Sequence, residues 1–164
     1  MPPAGKKVQD ELEMIEKIDH IAMVVWDLDR AMEVYAKGLG LDAERIEQLD
    51  EFQIRMAFIP VGDVYLELIE PTGPGRVQDF LEEHGEGMYH ICYRVGDIKK
   101  AIKKVGSTLK FRDRKPLKGS AGSLVAFLEP ESLFNVYTEL AEKRNEDLNQ
   151  LGGGDSSSGH AGCR

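Results

Sequence analysis

The sequence predicts an α+β fold built from two tandem βαβββ modules, their sheets joined into one open, barrel-like mixed sheet. Three observations point there. The chain repeats itself: His20 aligns with His90, 70 residues on, and at that offset Ile21 meets Ile91, Val25 meets Val95, Asp27 meets Asp97 and Ala31 meets Ala101. Each copy opens with an apolar, β-branched run, passes an Asp and continues in a helical pattern. Matching glutamates, Glu67 and Glu139, then close strand-like runs at nearly the same separation.

Length and composition set the frame. The chain has 164 residues, 41% of them hydrophobic, enough for a packed core. A net charge of −8 and a pI near 5.1 argue against nucleic acid and against an anionic membrane surface as partners. No run approaches the ~20 apolar residues that span a bilayer. The N-terminal MPPAGKKVQDELEMIEK has no apolar core and is too acidic for a transit peptide, so a cytoplasmic protein is expected. Two cysteines, Cys92 and Cys163, make no disulfide framework.

In chain order, residues 1–16 read as a charged, partly helical arm, and residues 17–70 as the first module. On its first strand His20 shares a face with Ala22 and Val24, while Ile21, Met23 and Val25 form the seat for a helix. Asp27 is the expected N-cap of that helix, and Trp26 is expected to pack between helix and sheet. FQIRMAFIP and VYLELIE follow as strands, with Val61-Gly62-Asp63 as a hairpin turn. PTGPG breaks the chain, and RVQDFLEEHG reads as a short helix within a linker over 71–87. In the second module, 88–141, His90 shares a face with Cys92 while Tyr89, Ile91 and Tyr93 point back. Asp97 caps a helix, and SLVAFLE and FNVYTEL are strands turned at Pro130-Glu131. Residues 142–164 form a polar tail, helical at first and disordered through GGGDSSSGHAGCR.

Two similar half-sheets side by side bring His20, Glu67, His90 and Glu139 onto one concave surface. A carboxylate on an apolar strand face is costly unless paired or metal-bound. Two imidazoles and two carboxylates suit one divalent cation (cobalt, nickel, manganese, iron or zinc), with two octahedral positions left for a bidentate ligand. Each residue alone reads more readily as a solvated or core side chain than as a ligand; the repeat-equivalent pairing raises the metal reading.

The segments LELIEPTG, DFLEEHGEGMYHICYRVGDI, GSAGSLVAFLEPES and VYTEL resemble methylmalonyl-CoA epimerases, within the glyoxalase/bleomycin-resistance/extradiol-dioxygenase (vicinal oxygen chelate) superfamily. The similarity covers roughly residues 17–141 and is most specific at FLEEHGEGMYHI. It implies one metal per site, held by His20, Glu67 (Gln or Glu in relatives), His90 and Glu139, with Glu139 also the base. It implies an acyl-CoA substrate and a homodimer, and an enolate formed by removing the proton between thioester and carboxylate. The sequence departs from the pattern in one important place. Some epimerases carry a Glu in the stretch matching Ile54-Arg55-Met56-Ala57-Phe58, where this chain has no carboxylate; Glu47, Asp50 and Glu51 lie nearby. Tyr89 also stands where a second His is common.

The loop FRDRKPLKGSAGS offers Lys115, Lys118, Gly119 and Gly122 as substrate-binding candidates, with a solvated hairpin as the plain alternative. Two other functions remain open on the residues: a glyoxalase I-type lyase using the same four ligands, and a non-enzymatic small-molecule binding protein.

Overall fold

The computed structural model describes residues 14–113 and 115–143. Eight strands form one curled, half-barrel sheet: β1 (Ile15–Val24), β2 (Arg45–Leu49), β3 (Ile54–Val61), β4 (Val64–Pro71), β5 (Gly87–Val95), β6 (Leu117–Lys118), β7 (Leu124–Leu128) and β8 (Thr138–Glu142). Their order is β2-β3-β4-β1-β5-β8-β7-β6. The order reads as two copies of one half placed back to back. In each half the opening strand pairs parallel with the closing one, β1 with β4 and β5 with β8. The two opening strands meet antiparallel at the centre. This is the duplicated architecture the repeat predicts.

The helices follow local sequence rules. In α1 (Leu28–Leu39) and α3 (Ile98–Val105) the capping side chains are Asp27 and Asp97, which accept from the backbone N–H of Arg30 and Lys100, each at 2.9 Å. α1 stops at Gly40, whose φ of 68° closes the last turn in a conformation that favours glycine. Alternation along the strands then assigns the layers. Leu28 of α1 packs on Ala57, Ile59 and Leu68 of the outer sheet face, and Ile98 and Ala101 of α3 on Val95, Ala126 and Leu140. The inner face carries Ala22, Val24, Met56, Phe58 and Ile69, joined by Val77 and Leu81 of α2 (Arg76–His84). Among the described residues, no helix is long and apolar enough to cross a membrane.

Several local expectations need correction. Trp26 is 51% exposed rather than sandwiched, because the chain has already left β1 when it reaches this residue. The expected strand FNVYTEL begins only at Thr138: Phe134 and Asn135 take positive φ values of 56° and 63°, which no strand accommodates. β2 and the two-residue β6 carry no signal strong enough to read from sequence. β1 starts at Ile15, so the strand takes in two residues of the expected arm. The expectations for residues 1–13 and 144–164 lie outside the described residues.

Candidate metal centre and active-site cavity

Sheet register builds the centre. Ala22 of β1 faces Glu67 of β4 on one side and His90 of β5 on the other. One row along, Cys92 of β5 lies between His20 of β1 and Glu139 of β8. Glu67 and His90 are therefore two strand spacings apart, about 9–10 Å at the backbone, as are His20 and Glu139. Small, fully buried residues at the middle of each row leave room for the long side chains to lean inward and meet. The repeat puts the small residue two positions after each His in both halves.

The donor atoms converge. His20 Nε2 lies 3.1 Å from His90 Nε2, 3.0 Å from Glu67 Oε2 and 3.4 Å from Glu139 Oε2. His90 Nε2 lies 2.7 Å from Glu139 Oε2 and 4.0 Å from Glu67 Oε2. All four residues are at most 5% exposed. The donor set fits a divalent cation on two grounds. Ligand atoms bound cis at roughly 2.1 Å stand about 3 Å apart, within the spread seen here. Two buried carboxylates also need more positive charge than two neutral imidazoles supply. Without a cation the proteins' own protons fill that role. Burial opposes charge on His20, yet Glu67 beside it and the Asp19 carboxylate hold its pKa well above 6.5. Burial likewise raises Glu139, but hydrogen bonds from His20 and His90 outweigh it and bring the carboxyl down to about 2.

Asp19, which sequence reading passed over, braces the centre. The β1–β5 register slips between Ile18 and His20, making Asp19 an extra residue on β1. Such a bulge re-aims a side chain that would otherwise face the helix. Asp19 is fully buried; its Oδ1 accepts from His20 Nδ1 at 2.9 Å and pairs with Lys143 at 2.8 Å, and its Oδ2 meets Arg94 at 2.6 Å. Burial alone would raise its pKa, but the His20 hydrogen bond and the Lys143 charge hold it far below the carboxylate range. The Nδ1–H···Asp19 bond fixes the tautomer that leaves Nε2 free to ligate. Seventy residues on, the register slips again between His90 and Met88, and Tyr89 is the extra residue. Tyr89 therefore lines the cavity instead of pointing back as strict alternation predicts. It offers His90 only a ring contact at 4.9 Å, and His90 Nδ1 is buried without a partner among the described residues.

The four-residue cluster lies in the wall of a cavity of about 360 Å³. Its lining includes the apolar Leu49, Phe52, Ile54 and Met56 and the polar Tyr89, Arg76, Arg112 and Asp113. Of the three acids near β3, only Glu51 lines the cavity. Glu47 pairs with Arg45 at 2.7 Å and accepts from Ala121 N–H at 3.1 Å, and Asp50 accepts from Gln48 at 2.7 Å. Of the loop candidates, Gly119 reaches the lining, whereas Lys115, Lys118 and Gly122 do not. Both glycines have structural reasons to be there. A Cβ at Gly119 would stand 2.7 Å from Ser123 Oγ and from Val125 Cγ1, and Gly122 has a φ of 74°.

A duplicated half-barrel with paired His/Glu positions defines a class. The chain belongs to the Glyoxalase/Bleomycin resistance protein/Dioxygenase superfamily, whose family model matches residues 19–127. Within it, the similarity reaches particular enzymes. The ethylmalonyl-CoA/methylmalonyl-CoA epimerase of Cereibacter sphaeroides is 31% identical over 134 residues, covering 79% of this chain and 99% of that protein. A methylmalonyl-CoA epimerase of Streptomyces coelicolor, solved in complex with 2-nitronate-propionyl-CoA, superposes with a TM-score of 0.74 at 30% identity, over 80% of this chain and 96% of that one. The uncharacterized protein YqjC of Bacillus subtilis is 31% identical over 138 residues, 83% of this chain and 99% of that protein.

Proposed function

We propose that this chain is a metal-dependent epimerase of methylmalonyl-CoA or a similar 2-substituted acyl-CoA. The observation that carries the reading is the convergence of four buried donor atoms from two repeat-equivalent His/Glu pairs on one cavity wall, in a chain similar to epimerases of this substrate class. His20, Glu67, His90 and Glu139 hold the divalent cation, which supplies the positive charge that acidifies a C–H beside a carbonyl.

The remaining work falls to the protein's own groups. Asp19 keeps His20 oriented. Glu139 takes the α-proton on one of its carboxylate oxygens, and the electron pair left behind spreads onto the thioester oxygen. The apolar wall of Leu49, Phe52, Ile54 and Met56 keeps water from the reacting carbon. Inversion needs a proton returned to the opposite face. Glu51 fills that role: of the cavity's acidic residues, Glu67 and Glu139 belong to the cluster and Asp113 is engaged by Arg76. A homodimer completes the reading; it rests on the family resemblance, and sedimentation checks it.

The test is hydrogen–deuterium exchange at the α-carbon of methylmalonyl-CoA in D₂O, using metal-loaded protein. Exchange is expected in the wild type and epimerisation with it. Absence of exchange sinks the reading. The thiol-adduct lyase then takes its place, a reading favoured by the lack of a carboxylate in residues 54–58, the stretch where some epimerases carry one.

A further inference from the structure

We propose that the cationic side of the cavity, centred on Arg112, is an anion-binding subsite that takes a carboxylate or phosphate of the substrate while its reacting carbon lies at the His/Glu cluster. The inference rests on the reading above and narrows the substrate to a thioester carrying an anionic group within reach of both places.

Arg112 is partly buried, lines the cavity, and its side chain has no hydrogen bond or ion pair among the described residues. A guanidinium partly withdrawn from water needs an anionic partner, and its nearest acid in sequence is already taken: Asp113 forms a two-pronged pair with Arg76 at 2.7 and 2.9 Å. That pair ties the start of α2 to the loop of the second module and keeps Arg76 in the same wall. The Arg112 backbone is pinned by its N–H bond to Phe127 O at 2.8 Å, so the fork is presented from a fixed strand edge. The bulge at Tyr89 turns a phenol into the same space. Leu49, Phe52, Ile54 and Met56, also in the lining, offer an anion nothing. A ligand with one anionic end is thus held in a single orientation, with the anion at Arg112.

Three thioesters separate the two sources of the anion: methylmalonyl-CoA carries both, propionyl-CoA only the phosphates, and methylmalonyl-N-acetylcysteamine only the carboxylate. Binding to metal-loaded protein is measured by calorimetry for wild type, Arg112→Ala and Arg112→Lys. Loss of a charge-assisted pair weakens binding by about tenfold or more. If Arg112→Ala weakens the N-acetylcysteamine thioester, the anion is the carboxylate. If it weakens only the two CoA thioesters, the anion is a phosphate. Arg112→Lys recovers part of the loss, having charge without the fork. Unchanged metal content and unfolding midpoint show that the variant is folded, and Arg30→Ala, exposed on α1, controls for net charge. Arg112→Ala within about twofold of wild type on all three ligands overturns the proposal. A separate measurement needs no thioester. Phenylglyoxal labelling of Arg112, read by peptide mass spectrometry, should be slowed by malonate or inorganic phosphate and not by chloride at equal ionic strength. If wild type binds no thioester yet the anions protect Arg112, the epimerase reading fails and the subsite stands. If no anion protects it, the subsite fails.

Discussion

The two halves of the molecule place their His/Glu pairs at equivalent positions and support them differently. In the first, the bulge residue before the histidine is Asp19, whose carboxylate is shared among His20, Arg94 and Lys143. In the second it is Tyr89, and His90 Nδ1 has no partner among the described residues. The closing strands differ too: Glu67 lies 3.0 Å from the histidine of its own half, while Glu139 touches both histidines, at 2.7 and 3.4 Å. Duplication therefore preserved what sheet register dictates, the His and Glu positions and the small residue between them. The layer behind diverged, giving one histidine braced by a carboxylate and one contacted by an aromatic ring.

The sharpest way to break this comparison is to neutralise the two glutamates in turn. Glu139→Gln keeps an oxygen ligand and removes the base, so α-proton exchange should fall by about a hundredfold or more with metal still bound. Glu67→Gln should cost about tenfold or less. Equal losses, measured by NMR in D₂O, would make the two carboxylates interchangeable and end the functional asymmetry.

The metal-free protein should show both halves in its pH–stability profile. Glu139 is depressed from 4.5 to about 2, so its contribution is present above pH 4.5 and lost as pH falls toward 2, on the order of 3 kcal/mol. His20 is raised, so its contribution is full below pH 6.5 and lost as pH rises through the raised value. Urea melts across pH should fall off on both sides, and loading the cation should remove the alkaline loss. A flat profile in the metal-free protein would contradict the pairing.

Asp19→Asn tests the brace alone. Losing an outer carboxylate behind a ligand histidine lowers metal affinity by about 10–100-fold, measurable by chelator competition. The same variant leaves Arg94 and Lys143 around a neutral amide and should lower the unfolding midpoint. Unchanged affinity would reduce Asp19 to a structural ion-pair partner.

The smallest effect is expected at Cys92. Burial first, and Glu139 next, push its thiol up to about 12, so it stays neutral at working pH. Iodoacetamide should leave it unlabelled in the folded protein and label it on unfolding. Cys92→Ala should cost about 1 kcal/mol or less, because a small side chain remains at the centre of the row. Rapid labelling in the folded state would show that the row opens.

How much of this could be read beforehand differs by layer. The His/Glu pairs and both N-caps were legible because the repeat marks them and because capping is a local bargain between an Asp and the N–H groups just after it. Glu51 could be named only as one of three nearby acids. Its selection depends on where the short turn after β2 points, while Glu47 is drawn off to Arg45 and Ala121.

By itself, then, the sequence determined two modules, their helices and the four residues that converge, since side-chain alternation and helix period are properties of the chain alone. Tertiary structure decided the rest. A bulge exists only relative to a neighbouring strand, so strict alternation along β5 sent Tyr89 to the wrong face, and nothing local revealed that Asp19 turns inward. Arg76 and Arg112 belong to different segments and became one cationic wall only when α2 folded against the second module. Contacts between distant segments are set by which strands pair and how the sheet curls, and these are settled by the packing of the whole chain.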